Sequence, residues 1–128
     1  MEAITILLAE DEALLLLDFE QTLNDAGFSV LAVTSGKRAL EILTDTEIFI
    51  QAIVTDIRLK DYPDGWEIAR VAREMDPEMP IVYVSGDSGP DWASRGVPNS
   101  IMLEKPFAMA QLVTAVAQLL NDRPVSAK

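Results

Sequence analysis

Five short runs of almost unbroken apolar residues constrain this chain more than any other feature: residues 4–9, 28–33, 51–57, 80–84 and 101–103. A strand with one face in water alternates apolar with polar side chains, whereas a strand that is apolar at nearly every position must be covered on both faces. Between these runs the apolar residues recur at helical spacing. Residues 12–26 put Leu15, Leu16, Phe19 and Leu23 on one side, and Gly27 stops the pattern. Thr34-Ser35-Gly36 opens a second helix with Ala39, Leu40 and Leu43 on one face. Residues 66–75 predict a third, with Ile68, Ala69, Ala72 and Met75 inward, and residues 107–120 a last one aligning Leu112, Val113, Val116, Leu119 and Leu120. Strands and helices in alternation predict an α/β domain: a doubly wound, five-stranded parallel sheet covered on both sides.

Composition narrows the chemistry. A length of 128 residues suits one domain, and 49% hydrophobic with 24% charged residues supports a packed core rather than disorder. There is no cysteine and no histidine, so the chain has no disulfide, no Cys- or His-ligated metal, no Ser-His or Cys-His dyad, and no phosphohistidine of its own. Ten Lys and Arg against twenty-one Asp and Glu leave a formal charge of −11. Such a charge opposes phosphate backbones and anionic lipid, so neither direct nucleic-acid binding nor membrane association is expected. The longest apolar run, residues 13–17, falls far short of the ~20 residues that span a bilayer, and Met1-Glu2-Ala3 lacks the basic start of a signal peptide. A soluble cytoplasmic protein is expected.

In doubly wound sheets, chemistry gathers beyond the carboxyl ends of the strands. At those ends stand Glu10 and Asp11, Asp56, Ser85 and Lys105. If the first strand lies beside the third, Glu10, Asp11 and Asp56 crowd into one crevice. A divalent cation relieves their repulsion, and Mg²⁺ suits an all-oxygen site.

The pattern resembles the receiver domain of two-component response regulators over essentially the whole chain. The matching pieces are the acids of Leu8-Ala9-Glu10-Asp11-Glu12, the acceptor in Val54-Thr55-Asp56-Ile57, Ser85-Gly86 and Lys105-Pro106-Phe107, with Ser35-Gly36 and Ala39-Leu40 between them. The resemblance implies strand order 2-1-3-4-5 and a role for each site residue. Asp56 would be the phosphoacceptor, taking its phosphoryl group from a histidine kinase, a histidine phosphotransfer protein or a small acyl phosphate. Asp11 would bind Mg²⁺ directly with Asp56 and the backbone carbonyl of Arg58, and Glu10 would act through a water. Ser85 and Lys105 would hold phosphoryl oxygens, and the Lys105-Pro106 bond would be cis.

Plainer readings stand beside these. The acids of 10–12 also suit a helix N-terminus, Ser85 a turn, and Lys105 a solvated cation. Arg58 and Asp87 look like surface residues, yet each lies two positions past a site residue. From that placement they are expected to pair across the mouth of the site and to control the hydrolytic water.

Three departures from the family pattern bear on signalling. Met102 stands at the switch position, where the family usually carries Tyr or Phe. The loop of residues 58–65 is one residue longer than usual, with Lys60 where Pro is common. The span that should hold the fourth helix contains Gly89, Pro90, Gly96 and Pro98, leaving only residues 91–95 for a helical turn. That helix is therefore expected to be short or missing, with Trp92 covering apolar sheet edge or touching a partner.

The expectation is a stand-alone receiver at residues 1–122 with a tail at 123–128, a monomer or weak dimer. It would signal to a downstream protein or drain phosphoryl groups from a kinase. A pseudo-receiver that binds without phosphate is the alternative. A haloacid dehalogenase-type phosphatase needs a second Asp where Arg58 stands, and a flavodoxin-like flavin binder needs a phosphate loop where acids stand.

Overall fold

A computed structural model describes residues 3–123, so the expected tail lies outside the described residues except for Arg123. The strands are β1 (Thr5–Ala9), β2 (Ser29–Val33), β3 (Ala52–Asp56), β4 (Ile81–Ser85) and β5 (Ile101–Glu104). The helices are α1 (Ala13–Asp25), α2 (Gly36–Leu43), α3 (Gly65–Met75), α4 (Trp92–Arg95) and α5 (Met109–Asp122). All neighbouring strands are parallel, in the order β2-β1-β3-β4-β5. This is the doubly wound α/β sheet that the sequence predicts.

Alternation along each strand explains why the apolar runs are continuous, since successive side chains leave a strand on opposite faces. Leu7, Ala9, Ile53, Ile81 and Tyr83 enter the core under α2 and α3. Ile6, Leu8, Val54, Val82 and Val84 enter the core under α1 and α5, where Phe19, Leu23, Leu112 and Val116 meet them. Helix ends follow local chemistry. Gly27, at φ +100°, turns the chain out of α1 in the left-handed region that glycine tolerates best. The Asp64 carboxylate accepts the Glu67 N–H at 3.0 Å and starts α3. The Gln111 side chain accepts the Ala108 N–H at 2.9 Å, so α5 begins at Met109 rather than at Phe107.

Helix α4 is one turn long and follows a 3₁₀ turn over Gly89–Asp91, as the glycines and prolines dictate. It is anchored by side chains. The Trp92 indole N–H donates to Ser100 Oγ at 2.9 Å, the Arg95 guanidinium lies 5.4 Å from the centre of the Trp66 ring, and buried Tyr83 accepts the Val97 N–H at 3.1 Å. Trp92 therefore lies against the base of β5 while staying 38% exposed. Met75 corrects the sequence reading. As the last residue of α3 it projects past the core and is 55% exposed. Among the described residues, no helix is long and apolar enough to cross a membrane.

Leu112 is fully buried and Leu14 is 76% exposed, so the two leucines should separate in urea unfolding. Leu112→Ala is expected to cost about 2–5 kcal/mol through a cavity between α5 and the sheet. Leu14→Ala should change stability by less than about 0.5 kcal/mol. Equal effects would contradict this assignment of the core.

Candidate functional site

The sheet order brings the carboxyl ends of β1, β3, β4 and β5 side by side. Ala9 pairs with Thr55, so Glu10 and Asp11 leave β1 beside Asp56 at the end of β3. Asp56 pairs with Val84, which puts Ser85 one residue farther along β4. The Lys105 N–H donates to the Ser85 carbonyl at 2.7 Å, tying the residue after β5 to the same rim. Two packing features hold the rim. Phe107 stacks on Phe19 at 5.7 Å, and the Lys105-Pro106 bond between them and the rim is cis, as the resemblance implies. A Cβ on Gly65 would lie 2.3 Å from the Asp56 carbonyl oxygen, so only glycine lets α3 start against the end of β3.

Glu10, Asp11 and Asp56 each offer a carboxylate oxygen, and these oxygens lie within 4.8 Å of one another. Lys105 Nζ donates to Glu10 Oε1 and to Asp56 Oδ2, both at 3.1 Å. Glu10 is wholly buried and Asp56 is 7% exposed. Burial, then repulsion from Asp56, pushes the Glu10 carboxyl up to about 7, although the Glu12 N–H and Lys105 both favour its charged form. Lys105 responds in the opposite sense. Burial disfavours its ammonium, but Asp56 and Glu10 outweigh that and hold its pKa above the ordinary lysine value. Three carboxylates thus face one ammonium, and the excess negative charge suits a hard cation bound through oxygen.

The helix-capping reading of the acids is only indirectly met. Glu12 makes no side-chain cap bond at the start of α1, and its N–H instead donates to Glu10 Oε2 at 3.0 Å. The Arg58 N–H donates to Asp56 Oδ1 at 3.3 Å, keeping the Arg58 backbone beside the cluster. Its side chain reaches across the mouth, Nε lying 2.9 Å from Asp87 Oδ1, so the expected pair is formed. That bond, with further donation from Ser88 and Ser85, holds the Asp87 carboxyl below the usual carboxylate range.

Ser85 is buried, and its Oγ accepts N–H bonds from Asp87 at 3.2 Å and Ser88 at 2.8 Å. Ser88, 3% exposed with its hydroxyl 3.1 Å from Asp87 Oδ1, was not among the residues singled out by sequence. The available signal was its spacing, since a serine hydroxyl commonly captures the backbone N–H groups two and three residues on. Met102 pairs with Tyr83 in the sheet and lines a groove of about 410 Å³ with Gly89, Trp92 and Glu104. The loop of residues 58–65 contains a second cis bond, Tyr62-Pro63, and presses against α2, where a Cβ on Gly36 would collide with the Pro63 carbonyl.

Comparison with known proteins agrees with this geometry. The family described as "Response regulator receiver domain" matches residues 6–117. The chain is 31% identical over 122 residues to the sensor kinase CckA of Brucella abortus, covering 93% of this chain but 13% of that kinase. It is 32% identical over 119 residues to the response regulator receiver protein CpdR of the same organism, covering 90% of this chain and 95% of CpdR. The crystal structure of a response regulator receiver protein from Sinorhizobium medicae superposes with a TM-score of 0.93 at 64% identity, covering 96% of this chain and 98% of that one. With its strand order, its acidic cluster and a family match across nearly its whole length, the chain belongs to the response regulator receiver domains of two-component systems.

Proposed function

We propose that residues 1–122 form a phosphoacceptor unit of a two-component phosphorelay, working in the cytoplasm with Mg²⁺. An Asp56 carboxylate oxygen attacks phosphorus on the phosphohistidine of a histidine kinase or phosphotransfer protein, or on a small acyl phosphate. The new P–O bond forms as the old P–N or P–O bond breaks, its electron pair leaving with the imidazole or the carboxylate. Lys105, already bonded to Asp56 Oδ2, holds the nucleophile and meets one phosphoryl oxygen as the transfer proceeds. The Ser85 hydroxyl donates to another. Asp11, Asp56 and the Arg58 carbonyl would hold Mg²⁺, with Glu10 acting through a water. When bound, the ion supplies charge neutralisation at the phosphoryl oxygens. Catalysis is thus positioning plus electrostatics, and the phosphoprotein itself is the product.

The observation that carries this reading is the convergence of three carboxylate oxygens within 4.8 Å and an ammonium 3.1 Å from two of those side chains. A pseudo-receiver would have no use for so costly an arrangement of like charges. The partner on the output side meets a surface altered by the single-turn α4 and by Met102. Either signalling by contact or draining of a kinase is compatible with that surface.

Incubation with acetyl phosphate and Mg²⁺ should add one phosphoryl group to the intact mass, and Asp56→Asn should abolish the gain. An unchanged wild-type mass would leave the pseudo-receiver reading in its place.

Arg58 and Asp87 supply a second test. Their side chains are 72% and 61% exposed, so alanine at either position should leave stability nearly unchanged. The lifetime of the phosphoform should nonetheless change several-fold, because the pair closes over the approach of water to phosphorus. Unaltered hydrolysis in both variants would remove them from the mechanism.

A further inference from the structure

The Asp87 side chain has three hydrogen-bond donors on a single oxygen. Oδ1 lies 2.9 Å from Arg58 Nε, 3.1 Å from Ser88 Oγ and 3.5 Å from Ser85 Oγ. A carboxylate oxygen has two lone pairs, so two donors satisfy it and a third is left at the edge of bonding distance. Ser85 is that third donor. Its own oxygen is meanwhile fixed by the Asp87 and Ser88 N–H groups, so the hydroxyl proton is the only part of Ser85 free to choose an acceptor. Phosphoryl transfer needs that proton to point at a phosphoryl oxygen. Asp87 is its competitor.

We propose that Ser88 is a positioning residue for this transfer: its buried hydroxyl occupies the lone pair of Asp87 Oδ1 that would otherwise capture the Ser85 proton. The inference rests on the phosphoacceptor reading and assigns a part within it that the site residues named so far do not play. With Ser88 in place, Ser85 gives up only a 3.5 Å contact when it turns. Without the Ser88 hydroxyl, the vacated lone pair of Asp87 Oδ1 takes the Ser85 proton, and Ser85 must then break a charge-assisted bond to turn. That bond would have to break as the Asp56–phosphorus bond forms and the bond from phosphorus to the leaving acetate oxygen cleaves. Arg58 completes the arrangement by filling the other lone pair from the opposite side of the mouth. The backbone N–H of residue 88 is unaffected by side-chain truncation, so an alanine there isolates the hydroxyl.

The test follows phosphoryl uptake by intact mass over time, using purified protein, acetyl phosphate and Mg²⁺. Ser88→Ala is expected to lower the maximal uptake rate roughly tenfold, the scale set by one hydrogen bond to a charged acceptor. The acetyl phosphate concentration for half-maximal rate should stay unchanged. In an Asp87→Ala background, Ser88→Ala is expected to have no further effect, because the acceptor over which the serines compete is gone. A wild-type rate in Ser88→Ala overturns the inference. So does equal slowing with and without Asp87, which would mark a packing effect. A wild-type protein that takes up no phosphoryl group fails at an earlier point, striking the phosphoacceptor reading itself, whereas failure of the variant pattern alone leaves that reading standing.

Discussion

One ammonium group stands between carboxylates that would otherwise repel one another. Lys105 Nζ lies 3.1 Å from Glu10 and 3.1 Å from Asp56, and Asp11 brings a third carboxylate to within 4.8 Å of those two. Burial, and then repulsion from Asp56 that Lys105 does not fully offset, pushes the Glu10 carboxyl up to about 7. Removing either partner from a buried ion pair leaves a charge without compensation, so the cluster constrains the whole rim. Its excess negative charge is a cost to folding, and three oxygen donors in one place suit a hard cation. Structure and function draw on the same electrostatic deficit.

The fold exists to assemble that cluster from distant stretches of chain. Lys105 is 95 residues from Glu10 and 49 from Asp56. Parallel strands put all their carboxyl ends on one side of the sheet, and the order β2-β1-β3-β4-β5 makes β1, β3, β4 and β5 neighbours there. The sheet interior is apolar on both faces, so the rim is where polar groups can be placed without burying them unpaired. Loops then refine the site. Gly65 lets α3 begin against Asp56, and the stack of Phe107 on Phe19 holds the segment after Lys105. The shortened α4 leaves this rim intact because Trp92, Arg95 and Tyr83 anchor the turn from below.

How much of this was legible in sequence follows from which forces act locally. The strands were legible because burial on both faces leaves an unbroken apolar run, and the short α4 because Pro90, Gly96 and Pro98 cannot propagate a helix. Glu10, Asp11, Asp56, Ser85 and Lys105 were legible as polar residues ending apolar strands, and Arg58 and Asp87 through their spacing from Asp56 and Ser85. Side-chain direction at a helix end was not: helical spacing predicts Met75 inward, whereas it projects into solvent. Nor was the competition on Asp87 Oδ1, which depends on rotamers and on the path of residues 85–88 rather than on any periodicity. Nor was the close approach of the Pro63 carbonyl to Gly36 of α2, which depends on the path of the loop of residues 58–65.

If the rim carries uncompensated negative charge, thermal unfolding between pH 5 and 8 must depend on both pH and Mg²⁺. A carboxyl whose folded-state pKa is raised from 4.5 to about 7 stabilises the protein below 4.5, and that contribution disappears as pH rises through 7. Metal-free protein should therefore lose stability across this range. Glu10→Gln should flatten the curve, and Mg²⁺ should restore stability saturably at the high-pH end. A metal-free melting temperature that holds or climbs from pH 5 to 8, with no response to Mg²⁺, would contradict the account.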